Sequence, residues 1–148
     1  MTPDPISPPS DGQPSSAAQG SDQLLDEVYT RLDHLVASSG VEDEYIARLR
    51  TVLSAALASE RAGFPITLLP LLTCRAAGTA MEPALPVAAA WRALLIAAKL
   101  LDDVEDGDVT RMSADTTNPP QVINLATGFL AIAGLALSQL PPATWFVL

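Results

Sequence analysis

Asp102, Asp103, Glu105, Asp106 and Asp108 place five carboxylates within seven residues, directly after an apolar, alanine-rich stretch from Val87 to Leu101. On a helix that continues to Asp106, Asp102 and Asp106 stand one turn apart (i, i+4), and Asp103 and Asp106 stand at i, i+3. All three can then aim at one point beside the helix end. Acidic groups at a helix C-terminus oppose the macrodipole, and neighbouring like charges repel, each at a cost of about a few tenths of a kcal/mol. A hard divalent cation accepting carboxylate oxygens offsets that cost, and Mg²⁺ carrying a substrate's phosphates is the usual case. A solvated acidic loop accounts for the same residues without any ligand. A calcium loop of the EF-hand type does not fit. With Gly107 at its sixth position, Val104 falls at the third and Ser113 at the twelfth, where oxygen ligands and a bidentate Glu are needed.

The elements around this stretch read as helices. Residues 1–20 are rich in Pro, Ser and Gly without apolar periodicity, and read as a disordered tail. Ser21 or Asp22 can cap a first helix whose stripe is Leu24, Leu25, Val28, Leu32, Leu35 and Val36, ended by Gly40. A second helix spans about Glu42 to Ala62, with Tyr45, Ile46, Leu49, Val52, Leu53, Ala56 and Leu57 inside and Gly63 at its close. Pro65 and Pro70 delay the third helix to about Leu69, and Gly78 stops it. Pro86 opens the helix that ends in the acidic stretch, with Trp91, Leu94, Leu95, Ala98 and Leu101 expected on its buried side. After a polar loop, Gln121 to Leu140 is apolar nearly all round, which predicts burial all round. Gly128, Ala131 and Gly134 there let a neighbouring helix approach closely. Pro141 begins something new. The predicted fold is all-α: a bundle of five to six helices in one domain, 21–148, truncated at its C-terminus.

Composition narrows the function. A net charge of -9 and the single lysine, Lys99, argue against nucleic acid, because phosphate backbones demand Lys/Arg clusters. One cysteine, Cys74, cannot form an internal disulfide. No basic segment followed by an apolar run marks a secretory signal, so the expected location is cytoplasmic. Val122 to Leu137 is sixteen residues, short of the roughly 20 that span a bilayer, and Arg92 and Lys99 interrupt the preceding helix, so no membrane span is expected.

In its order of features the chain resembles the trans-isoprenyl diphosphate synthases, the polyprenyl synthetase family of all-α enzymes. The resemblance rests on Leu100-Leu101-Asp102-Asp103-Val104-Glu105-Asp106, which looks like the family's first aspartate-rich motif, DDxxD, at the end of a long central helix. Arg111, separated from the motif by four residues in the loop, matches the first of the family's arginine pair, and Asn124 and Gly128 are similar to its next helix. The resemblance implies a partial isoprenoid-synthase-type bundle in which Asp102, Asp103 and Asp106 bind Mg²⁺ gripping the diphosphate of an allylic prenyl substrate. It implies that Arg111 touches the same diphosphate and that Ala97, Ala98 and Phe129 line the hydrocarbon pocket. Pro65-Ile66-Thr67-Leu68-Leu69-Pro70 stands where the family carries a Gly-Lys-x-x-Arg-Pro segment for isopentenyl diphosphate, and no second aspartate-rich motif follows. The resemblance covers the family's N-terminal half, so it implies a prenyltransferase-like chain that is incomplete as a catalyst alone. The expected partner is a second copy in a homodimer or a complementary C-terminal half. The alternative is a non-catalytic helical interaction protein with a solvated acidic turn.

Overall fold

The computed structural model describes residues 16–107 and 118–140, and among these it is all-α with five helices and no strand. They are α1 (Ser16–Ala37), α2 (Asp43–Ala62), α3 (Leu69–Ala76), α4 (Leu85–Glu105) and α5 (Pro119–Leu137), with short 3₁₀ turns at Ile66–Leu68 and Glu82–Ala84. Residues 1–15, the loop holding Arg111 and the element expected after Pro141 lie outside the described residues. The first helix starts at Ser16, ahead of the Ser21/Asp22 caps, because Ser16-Ala17-Ala18-Gln19 offers nothing that breaks a helix.

Breakers set the boundaries. Gly40 follows α1 with φ +74 and Gly107 follows α4 with φ +73, a left-handed conformation that side chains other than glycine adopt at a cost. Between α2 and α3, Gly63 and Pro65 interrupt the backbone, and the chain turns by 92°. Prolines stand in the first turns of α3, α4 and α5, where their missing N–H has no partner to lose.

α4 and α5 form the most extensive helix pair, with α1 and α2 packed across them. The core joins Leu25, Val28 and Leu32 of α1, Leu49 and Val52 of α2, and Ile96, Leu100, Leu125, Phe129 and Ile132 from the α4–α5 pair. Two expectations are corrected here. The buried side of α4 is Ala89, Ala93, Ile96, Ala97, Leu100 and Asp103, whereas Leu94, Ala98 and Leu101 are exposed and Trp91 and Leu95 half-buried. α5 is buried on one side only, and Ile123, Leu130 and Leu135 face outward. α5 also begins at Pro119 and reaches 19 residues. By length and composition alone, Glu82–Glu105 and Pro119–Leu137 are both long and apolar enough to cross a membrane, each with a mean hydropathy of 1.6.

The small residues of α5 do what their size allows at one position. A Cβ built on Gly128 would overlap Tyr45 Oη and press on Leu49 Cδ2 at 3.2 Å, while Gly134 has open space around it. Tyr45 Oη donates to the Asn124 carbonyl at 2.7 Å, which fixes α2 across α5. Gly128→Ala should therefore cost about 1–3 kcal/mol by overpacking. Urea denaturation checks this, and in a Tyr45→Phe background, where Oη is gone, the cost should shrink.

Candidate functional site

α4 carries the acidic turn and also one wall of a groove against α2. The groove encloses about 440 Å³ between Ala55, Ala56 and Ser59 of α2, Ile66 of the following turn, and Arg92, Leu95, Ile96 and Lys99 of α4. Arg92 and Lys99 are seven residues apart, so both lie on the side of α4 that faces α2. The lining is otherwise apolar or small. A larger depression of about 550 Å³ lies between α1 and α2. Its Asp33 and Arg50 are paired at 2.6 Å, and Asp26 there is paired with Arg61.

Lys99 joins the groove to the acidic turn. Its Nζ stands 2.5 Å from Asp103 Oδ1 and 3.5 Å from Asp102 Oδ2. The hydrogen bond to Asp103, with the nearby Asp102 charge adding to it, raises the Lys99 ammonium above the usual lysine range. So the counter-charge that the acidic turn calls for comes from within α4, through i, i+3 and i, i+4 spacings that were legible in the sequence. The three aspartates have different surroundings. Asp103 is buried, only 3 % exposed, and its Oδ2 has no hydrogen-bond partner among the described residues. The Asp102 side chain is largely exposed. Asp106 caps the helix, exposed, with its backbone N–H on the Asp102 carbonyl at 2.9 Å. Among the described residues, no group of three or more His, Cys, Asp or Glu side chains is gathered closely enough to hold a metal ion. Asp102 and Asp103 do converge on a cation, the Lys99 ammonium. Of the residues expected to line the hydrocarbon pocket, Ala97 and Phe129 are fully buried in the core and Ala98 is exposed. The groove wall on α4 is Leu95 and Ile96 instead.

At the other end of the groove lies a buried polar cluster that the sequence reading did not single out. Glu60, in the last turn of α2, accepts from the Thr67 backbone N–H at 3.0 Å, from Thr67 Oγ1 at 2.7 Å and from Tyr29 Oη at 3.2 Å. Arg92 stands 3.4 Å from Glu60 Oε1, donates to Tyr29 Oη at 2.6 Å, and donates to the Ala56 carbonyl at 3.1 Å. Burial, opposed by the neighbouring Arg92 charge, holds the Tyr29 phenol well above the usual tyrosine range. Among the described residues, no buried side-chain oxygen or nitrogen of this cluster is left without a partner. The cluster ties α1, α2, the Ile66–Leu68 turn and α4 together and fixes the side of α4 that meets the groove. A lone arginine in an apolar helix was the available signal, since a buried guanidinium needs a carboxylate.

Fold and site together define an all-α helical domain with an amphiphilic groove that ends at an acidic turn. Compared with protein-family models, curated proteins and solved structures, the chain matches none of them.

Proposed function

We propose that the chain binds a prenyl diphosphate, with the hydrocarbon in the α2–α4 groove and the diphosphate held through Mg²⁺ at the acidic turn. The observation that carries this reading is the position of Asp103. It is a buried carboxylate with one oxygen unpartnered, joined through Lys99 to an apolar groove. Mg²⁺ is usually held by one or two carboxylates plus substrate phosphates, so two converging aspartates suit it. Asp102 and Asp103 would hold the ion, and Asp106, which is not gathered with them, stays outside this pair. The ion, when bound, supplies neutralisation of the diphosphate charge. Leu95, Ile96, Ala55, Ala56 and Ile66 exclude water from the hydrocarbon, and Lys99, displaced from Asp103, remains beside the diphosphate as a second positive charge. The DDxxD resemblance supports the same ligand class. Catalytic turnover by this chain alone is not proposed.

The test is thermal stability with farnesyl diphosphate and Mg²⁺. Binding to the folded state alone stabilises by about 2.7 kcal/mol when ligand is at roughly 100 times its Kd, so a clear rise in melting temperature is expected. Asp103→Asn should remove the Mg²⁺-dependent part of that rise while farnesol, lacking the diphosphate, gives little. A melting curve that Mg²⁺ and diphosphate leave unmoved sinks the reading. That outcome would favour the second reading, a helical interaction domain. The observation behind that one is that Lys99 already pairs with Asp103, while Asp102, Glu105 and Asp106 face solvent.

A further inference from the structure

We propose that Lys99 closes the Asp102–Asp103 pair to a divalent ion alone, and that the pair opens when a diphosphate arrives to receive the ammonium. This deepens the Mg²⁺ reading of the acidic turn and rests on it. Asp103 Oδ1 and Asp102 Oδ2 converge on one cation, the Lys99 Nζ, at 2.5 and 3.5 Å. A divalent ion taking oxygens from both carboxylates would stand in the same place, so ion and ammonium exclude each other. Charge points the same way. With Lys99 in place, two carboxylates and one ammonium leave a single net negative charge, a weak attraction for an ion that dehydrates reluctantly.

Asp103 keeps the lysine in place and also allows the exchange. Its side chain is buried with Oδ2 unpartnered among the described residues, and a buried carboxylate needs a cation beside it. Either cation serves. The two cations that line the groove differ in their freedom to leave. Arg92 is 11 % exposed and held by Glu60, Tyr29 and the Ala56 carbonyl. Lys99 is 53 % exposed, on a flexible four-carbon stem that lines the groove. A diphosphate at the turn gives its ammonium a new anionic partner while Mg²⁺ takes the old ones. Lys99 thereby couples the two ligands, each raising the affinity for the other by the same factor. An i, i+4 pair whose only work is structural predicts no such coupling.

The probe is Mg²⁺ alone on the full chain, with NaCl of equal ionic strength as the control for screening. The wild type should keep its melting temperature. Lys99→Met retains the apolar stem but leaves Asp103 without a cation, so this variant should melt lower, and Mg²⁺ should restore part of the loss. Lys99→Gln keeps an N–H donor for Asp103 without the charge, and gives the same comparison with less loss of stability. Mn²⁺, followed through the electron paramagnetic resonance signal of the free ion, should bind both variants about tenfold or more tightly than the wild type. Adding Asp103→Asn to Lys99→Gln should remove that gain. Two results overturn the proposal: Mg²⁺ alone stabilising the wild type as much as the variants, or variants as indifferent to Mg²⁺ as the wild type. Farnesyl diphosphate with Mg²⁺ on the wild type tests the ligand reading separately. If that fails while the variants respond to Mg²⁺, the closure by Lys99 stands and its diphosphate half falls. If it succeeds while the variants ignore Mg²⁺, the ligand reading stands and Lys99 does not close the pair.

Discussion

Replacing Glu60 with alanine should lower the unfolding free energy by about 3–5 kcal/mol, because it leaves the Arg92 guanidinium buried without its carboxylate. The two side chains are only 5 % and 11 % exposed, so water has little access to replace the partner. The loss does not stop at the ion pair. Thr67 donates to Glu60 from both its backbone N–H and its hydroxyl, and Tyr29 donates from its phenol, so three further donors lose an acceptor. Each buried donor left unsatisfied costs on the order of 1–3 kcal/mol. Against a typical domain stability of about 5–15 kcal/mol, the variant should be near its folding limit. Glu60→Gln keeps the shape and one acceptor oxygen and should lose less. Urea denaturation of Glu60→Ala, Arg92→Ala and the double variant gives the coupling. The double variant should be more stable than the sum of the singles, since an uncompensated charge costs more than an absent pair. Coupling near zero would mean that the cluster is hydrated and that something else fixes the side of α4 facing α2.

The sequence made the helices legible and left their orientation ambiguous in the two most apolar ones. α1 and α2 carry enough charge that their stripes have one reading, and Leu25, Val28, Leu32, Leu49 and Val52 are buried as the periodicity predicts. α4 has apolar residues at nearly every position from Leu85 to Leu101, so period alone names a helix without choosing its inner face. The markers were Arg92 and Lys99, of which Arg92 turns inward and Lys99 stays exposed. Arg92 belongs to the interior cluster, and Lys99 stands beside a buried aspartate. Hence Leu94, Ala98 and Leu101 were expected inside and lie outside, Trp91 is half-buried, and the alanines at 89, 93 and 97 form the packed face. Small residues pack inward there because α5 runs close alongside. The aspartates were legible as a cluster, and so was the need for a counter-charge. The spacing of Lys99 from Asp102 and Asp103 allows it to supply that charge, whereas the burial of Asp103 is something no spacing rule states.

Phe129 is where the two accounts of the apolar interior separate most sharply. It lies on α5, fully buried, and is the largest of the completely enclosed side chains. As a core residue, its truncation to alanine removes the transfer free energy of a whole ring and leaves a cavity that a bundle pinned by Tyr45 on Asn124 can only partly collapse. Phe129→Ala should then cost about 3–5 kcal/mol, comparable with the loss of Glu60 but by a different route. The signature distinguishes them. The Phe129 variant should recover part of its stability with a small apolar solute that fills the cavity, as dry apolar cavities do, whereas the Glu60 variant should not. If Phe129 instead lined a pocket that receives a prenyl chain, the empty protein would already have space beside the ring. Truncation would then cost less than about 1 kcal/mol, because a side chain facing open space has few contacts to lose. It would also shift preference toward a longer diphosphate, with geranylgeranyl gaining on farnesyl in the melting assay. The close packing around Phe129, with Leu125, Ala126, Ile132 and Ala133 all buried on the same face of α5, makes the large loss the expected outcome.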